Sequence, residues 1–504
     1  MRADTKIIFE MFDTDSKSSA VMTCEHSQTD IETLKNEKTD TELYATTEPA
    51  GFLLDGSYKI LSEQPAGLYS DMMSMDNGLF RTPVVLNISF SAPVTSSGIT
   101  LHFPQEEYPS DVNIEWYDGE NKLKEAVYKP DSEAFFCRNN VENYNRLTIT
   151  FYGTKKPQHY LKLRGIDFGQ SLLFSSDKII KSNVVQDISI LCDEISINKL
   201  EFEIEDKDRL FSVVGVNSVF FAVQESQKIT VYSTIGGQEE NLGVFYLKNL
   251  TGNGIKAKFT AHDSIGVIDG GEEIPEKYYN TTFEQFCSEI LAGFKYSIEE
   301  SLKRKTIKGY LTTCSRRTAL QQACFAVGAI ADTSGGEEIR IFSLPKVPAM
   351  LVTSDLMYKG SGVESITPYG ALLVTAHDFD RDGIDTPTII KTELNPKAKN
   401  SVEVNDAVFV NIGNVDSVIE RLTDYYKRKV LYRLKMPYDK YLRMGDMLMS
   451  YMDMDRGYIK GNITSMDISP SGGLTADITV KGYVFNVEDG IYTGEAFVSE
   501  RGVF

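Results

Sequence analysis

Three acidic stretches carry residue types that hold divalent cations, and one of them also has the spacing. In HDFDRDGID (His377 to Asp385), Asp378, Asp380 and Asp382 fall at the first, third and fifth positions of a calcium loop, and Gly383 falls at the sixth, where a sharp turn is needed. The twelfth position holds Ile389 in place of the bidentate glutamate that completes such a loop. DTDSKSS (Asp13 to Ser19) and DMDRG (Asp453 to Gly457) offer less. The expectation is three solvated acidic loops, with no metal and no cofactor. The five histidines have no zinc-ligand spacing, and the six cysteines (Cys24, Cys137, Cys192, Cys287, Cys314, Cys324) are scattered without a CxxC pair, which reads as reduced, buried and inert.

A second candidate is the aromatic cluster of SGITLHFPQEEYPSDVNIEWYDGENKL (Ser97 to Leu123), which contains the single tryptophan. Residues two apart in a strand share a face, so Trp116 lies with Val112 and Ile114 on an apolar side, as a core residue between two sheets. Tyr108 and Tyr117 are left as the residues of the cluster that could stack on a carbohydrate. For covalent catalysis or nucleotide chemistry there is no GxSxG, no GxGxxG and no Walker A motif. Carboxylates abound, but the separation that two of them reach in a fold is not written in the sequence. The expectation is that the chain is not an enzyme.

The elements that would position these residues are mostly strands. Segments such as TPVVLNISFS, GITLHF, DVNIEWY, EAFFCRN, RLTITFYG and HYLKLRGIDFG, separated by turn residues, read as an all-β sandwich over 42–168. NKLEFEIED, KITVYST and LGVFYLKNLTGNGIKAKFTAHD, the last a hairpin turning at GNG, give a second β unit over 169–270. The period then changes. Phe283, Phe286, Cys287, Ile290, Leu291 and Phe294 form a helical stripe, with Thr281 and Glu284 as its capping box, and RTALQQACFAVGAIA repeats the pattern before the strand EEIRIFSL. This makes 271–345 an α+β module. Residues 346–504 return to strands around one helix capped by Asn414, with Val415, Val418, Ile419, Leu422 and Tyr426 on its apolar face.

With 504 residues the chain is too long for one core. Its net charge is −20 (52 basic against 72 acidic residues), which repels phosphate backbones, so sequence-specific nucleic-acid binding is not expected. No run approaches the roughly 18 apolar residues of a membrane span. The N-terminus MRADTKIIFEMFDTDS lacks the apolar core of a secretory signal, so synthesis in the cytoplasm is expected.

Several landmarks, in this order, resemble the baseplate and tail hub proteins of phages and of contractile phage-tail-like bacteriocins (tailocins) from low-GC Gram-positive bacteria. They are IIFEMFDTDSKSSA; GFLLDGSYKIL with GLYSDMMSMDNGLF; LKLRGIDFG; ISINKLEFEIED; LGVFYLKNLTGNGIKAKFTAHDSIGVID; RTALQQACFAVGAIA; and RMGDMLMSYMDMDRGYIKGNITSMDISPSGGLTADITVKGY. The resemblance implies a mainly β fold with a smaller α+β module: two tail-tube-like β-barrels, at 1–41 with 169–270 and at 346–504, and an inserted galactose-binding-like sandwich at 42–168. It implies a homotrimer that joins a six-fold tail tube to a three-fold spike or tip and contacts baseplate wedge proteins in an assembled virion or particle. It also implies a second role, binding a cell-surface glycan through the 42–168 sandwich, although no sugar-binding residue transfers position by position.

Overall fold

The computed structural model describes residues 4–13, 16–35, 44–45, 47–49, 60–61, 67–212, 218–235, 238–252, 254–271, 273–452, 457–470, 473–486, 498–499 and 502–503. Strands dominate, and the chain divides into two compact units, one of residues 9–173 with 207–227, the other of 1–8, 174–206 and 228–504.

The first unit is built on two long strands, Leu79–His102 and Ala134–Gly153, paired antiparallel, with Val112–Asp118 on the far side of the latter and Asn121–Tyr128 beyond it. The sequence suggests four separate strands where these two run. Their Pro and Gly residues fall at bulges instead of turns: the register shifts between Ser89 and Val94 and again around Ser96 and Gly98. At Gly98 (φ 147°) a Cβ would meet the Cys137 carbonyl at 2.4 Å, so the bend requires glycine there. Alternation places Val84, Leu86, Ile88, Ile99, Leu101, Val112, Ile114, Trp116, Leu147, Ile149 and Phe151 in one buried cluster.

Eleven strands that lie wholly in the second unit, counted among the described residues, belong to one sheet. One antiparallel set contains Ile179–Asp187, Lys199–Glu205, Lys228–Ile235, Gln238–Gly252 and Lys256–His262. Phe202 and Phe259 face each other across it and stack at 4.5 Å, while Glu201 and Glu203 on the opposite face pair with Lys258 and Lys256, both at 2.9 Å. A second antiparallel set contains Val430–Pro437, Met447–Met452, Gly457–Ser469 and Thr475–Asn486. The two sets are joined by Ile179–Asp187 and Gly457–Ser469, with Val184 opposite Ile468 and Asp187 opposite Ser465.

Between these sets in sequence, the helices Phe283–Ile290 and Arg316–Val327 pack around a common core with Tyr279, Leu302, Ile307, Ile339 and Phe409. The first helix starts one residue later than its sequence suggests. Thr282 and Gln285 form the capping box, because the apolar stripe begins at Phe283; the helix closes after Ile290 and leaves Phe294 beyond it. Asn414 sits at the N-cap of Val415–Lys427, yet its side chain serves the preceding turn, donating to the Phe409 carbonyl and accepting from Asn411 N–H. Val415, Val418 and Leu422 are buried as the stripe requires. That helix covers the sheet of Ala371–Ala376, Thr388–Glu393 and Ser401–Val404.

Two carboxylates tie these layers together. Asp263 is buried and accepts from Gly266 N–H, Asn198 N–H and the Thr333 hydroxyl; burial pushes its carboxyl up to about 6 against the pull of those three donors. Burial alone would raise Glu337 as well, but the Tyr246 hydroxyl (2.7 Å), Lys295 (3.0 Å) and Lys228 (3.4 Å) together hold it down at about 2.

Asp263→Ala strands three donors and is expected to cost about 3 kcal/mol or more in urea unfolding, with Asp263→Asn costing less. A cost under about 0.5 kcal/mol for the alanine variant would show that the donors find other partners. Because the folded Glu337 carboxyl lies below its ordinary 4.5, its contribution is present above that pH and is lost as pH falls toward about 2. Glu337→Gln should therefore melt below wild type at pH 7, with the gap closing near pH 2 to 3; a gap of constant size across a pH series would refute the assignment.

Candidate functional site

Trp116 is fully buried, opposite Leu147, and offers no face to a ligand. Tyr117 lies at the end of the same strand, half-buried; its hydroxyl donates to Glu115 at 3.0 Å, and the Arg146 guanidinium stands 4.3 Å from its ring centroid. Tyr108 lies before the strand, edge-on to Phe103 at 6.4 Å, with Lys155 Nζ 5.5 Å from its ring. Tyr117 pairs with Arg146 and Val112 with Phe151, about 17 Å along the strand at ~3.3 Å per residue, and the Tyr108 carbonyl accepts from Lys155 N–H beyond Phe151, so the two tyrosines stand at opposite ends of the strand pair. Each has a cation at its ring.

The acidic loop at 377–385 is held by its own backbone. Asp380 Oδ1 accepts N–H bonds from Asp382 and Ile384, both at 2.9 Å, and Asp385 accepts from Asp378 N–H at 3.0 Å and lies 2.7 Å from His377 Nδ1. These bonds give the carboxylates a structural role that requires no ion. Asp13 Oδ1 likewise accepts from Ser16 N–H at 3.0 Å at the start of the short Ser16–Ser19 turn. Residues 453–456 of the third acidic stretch lie outside the described residues.

Tertiary structure brings together one group that the sequence does not announce. Glu48, Glu107 and His159 place ligating atoms within 4.8 Å of one another, the only such group found among the described residues. Lys162 Nζ already stands 2.6 Å from Glu48 and 3.5 Å from Glu107, so an ammonium occupies the position that a cation would take. The pattern is an ion-pair network, and no local motif could have revealed it, since its members are separated by as many as 111 positions (159 − 48).

All six cysteines are free; four are buried, Cys24 and Cys314 are half-buried, and burial pushes the Cys287 thiol up to about 12, far from a reactive thiolate. A cavity of about 540 Å³ is lined in part by Lys305 and Arg421. Lys305 donates to the Val327 carbonyl at 2.6 Å and Arg421 to the Phe325 carbonyl at 2.5 Å, so both cations satisfy the C-terminal end of the Arg316–Val327 helix. Among the described residues no nucleophile is paired with a base in the manner of a hydrolase, and no helix is long and apolar enough to cross a membrane.

The remaining feature with functional geometry is the sheet itself. Its described order ends at Gly362–Ser365, four exposed residues paired on one side only, with Val430–Pro437. Ile366 N–H donates to the Lys429 carbonyl at 2.8 Å, so by alternation the N–H groups of Val363 and Ser365 point away from the sheet. An exposed, half-paired strand is a template for another strand.

Neither a family model nor a curated protein sequence matches the chain. Solved structures resemble it in chain course. A tail protein from Neisseria meningitidis is 9% identical with a TM-score of 0.47, covering 62% of this chain and 93% of that one. A prophage tail protein from Listeria monocytogenes is 10% identical with a TM-score of 0.42 (62% and 91% covered), and a prophage tail protein from Shewanella oneidensis is 11% identical with a TM-score of 0.43 (61% and 95%). The structural neighbours are phage tail and baseplate proteins, the class that the sequence landmarks resemble.

Adding millimolar calcium, or a chelator, is expected to leave Tm unchanged to within about 1 °C, because ligand-linked stabilisation needs a site that binds. Asp380→Ala, by contrast, should lower stability by about 1 kcal/mol, as two turn N–H groups lose their acceptor. A calcium-dependent rise of several degrees in wild type that vanished in Asp380→Ala would establish a metal loop.

Proposed function

We propose that this protein is the structural hub of a baseplate, in a contractile phage tail or a tail-like bacteriocin of a low-GC Gram-positive bacterium. It acts as a homotrimer that adapts a six-fold tail tube to a three-fold spike or tip and orders the wedge proteins around it. The observation that carries this reading is the joint between Ile179–Asp187 and Gly457–Ser469, which makes one sheet out of two antiparallel sets from distant parts of the chain. A chain with two such sets side by side presents six from three copies, and that is the arithmetic of a six-to-three adaptor. In this reading the tube-like units are 1–41 with 169–270 and 346–504, the 42–168 sandwich is an insertion resembling galactose-binding domains, and 271–345 is the module between. The acidic balance suits a lumen through which nucleic acid passes without sticking. The protein works by shape, with no catalytic step.

The exposed edge at Gly362–Ser365 is where a neighbouring copy would add a strand. Native mass spectrometry of the chain with its tube and spike partners should find a species of three chains, about 170 kDa from three times 56.5 kDa. Val363→Pro removes an N–H that points out of the sheet, so it should leave the monomer's Tm within a few degrees of wild type while abolishing the trimer. A chain that stays monomeric with both partners present would sink the hub reading; a Val363→Pro chain that still forms trimers would move the interface elsewhere.

A further inference from the structure

The cavity of about 540 Å³ lies within the unit of residues 1–8, 174–206 and 228–504, where the end of the Arg316–Val327 helix meets the Val415–Lys427 helix and the Gly457–Ser469 strand. Five cations line it, Lys305, Lys346, Arg421, Arg428 and Lys460, against two carboxylates, Glu420 and Asp424. Asp424 is engaged by Arg428 at 2.9 Å and by the Tyr483 hydroxyl, and Glu420 is exposed. Four cations therefore face one exposed carboxylate, on a chain with 72 acidic and 52 basic residues, and among the described residues none of the four is ion-paired. Lys305 and Arg421 stand together, on the Val327 and Phe325 carbonyls of one helix end, and the guanidinium lies against Gly328, where a Cβ would meet Nε at 2.8 Å. Each keeps donors beyond those bonds. Lys305 Nζ has two N–H left, and Arg421 Nη1 has no partner among the described residues and, unlike Nε, is open to solvent. The Lys460 ammonium is likewise open and without a partner. Burial and the neighbouring Arg421 charge push Lys305 below its ordinary value, and burial brings Arg421 down to about 10.

Like charges held side by side repel unless an anion lies between them. The helix end accounts for one N–H of Lys305 and one of Arg421; it does not account for Lys346 and Lys460, which reach the same space from the segment after Ile339–Phe342 and from the Gly457–Ser469 strand. Cations converging from separate elements on one concavity, at a junction of packed layers, form the usual setting of a ligand site. At ~30 Å³ per water the space holds about eighteen waters, room for a small molecule. We propose that this cavity binds a small polyanion with two or more phosphate or carboxylate groups. The planar fork of Arg421, beside Lys305, anchors one group, and Lys346 and Lys460 neutralise the rest of the charge. The site is independent of the hub reading.

The test is calorimetric titration of the full-length protein with pyrophosphate, citrate, inorganic phosphate and a pentaglutamate peptide. Pyrophosphate or citrate should saturate at millimolar concentration or below, with inorganic phosphate at least about tenfold weaker because it engages fewer of the cations. Lys346→Ala and Lys460→Ala remove side chains without partners, so each should fold as wild type and weaken the polyanion about fivefold or more. Lys399→Ala, at an exposed lysine outside the cavity, should leave the affinity unchanged. Preference for pyrophosphate would identify a phosphate ligand and preference for citrate a carboxylate one. Absence of saturable binding by both, equal binding of inorganic phosphate, unchanged affinity in the double variant Lys346→Ala with Lys460→Ala, or an equal loss in Lys399→Ala would each overturn the proposal. So would binding of the peptide alone, which would make the occupant a protein chain.

Discussion

The larger unit depends on a single backbone ladder, the antiparallel pairing of residues 184–187 with 465–468. Each hydrogen bond in it is individually modest, about 1 kcal/mol net, but its partners lie roughly 280 residues apart in sequence, as in the pairing of Val184 with Ile468. Loop-closure entropy makes such a contact costly by itself, so the joint is held together with the sheets and helices that pack around it. Two antiparallel sets become one sheet.

Buried polar groups then fix how the layers meet. Asp263 binds donors from three segments, at Asn198, Gly266 and Thr333, and Arg428 reaches from the end of the Val415–Lys427 helix to Asp424 at 2.9 Å and to Asn462 at 2.8 Å. Asn462, fully buried, donates in turn to the carbonyls of Pro345 and Gly445, both at 2.9 Å. Apolar packing would tolerate a slid helix or a shifted strand; these bonds do not, because each slip leaves a buried donor without an acceptor. Their work is positional.

The smaller unit uses a different device. Its two long strands bend through bulges near Ser96 and Gly98, and past the bend the Leu79–His102 strand is buried on both faces from Ser96 to Leu101. Ser97 lies where the regular alternation breaks, and its hydroxyl is turned inward without a partner among the described residues.

Sequence by itself determined the β-rich class, the helix stripes of Phe283, Phe286, Cys287 and Ile290 and of Val415, Val418 and Leu422, and the burial of Trp116, because period and apolarity are local properties. It misplaced one capping box by a residue and divided two long strands into four, since Thr281 and Thr282 look alike without the core and since a glycine bulge and a glycine turn share one composition. Only the tertiary structure decided the joint between residues 184–187 and 465–468, the cluster of Glu48, Glu107, His159 and Lys162, and the cavity at Arg421 and Lys460. The physical reason is the same for all three. Each depends on which unpaired edges and polar atoms meet across long stretches of chain, and that is settled by global packing and hydrogen-bond satisfaction, which leave no periodic mark in the sequence.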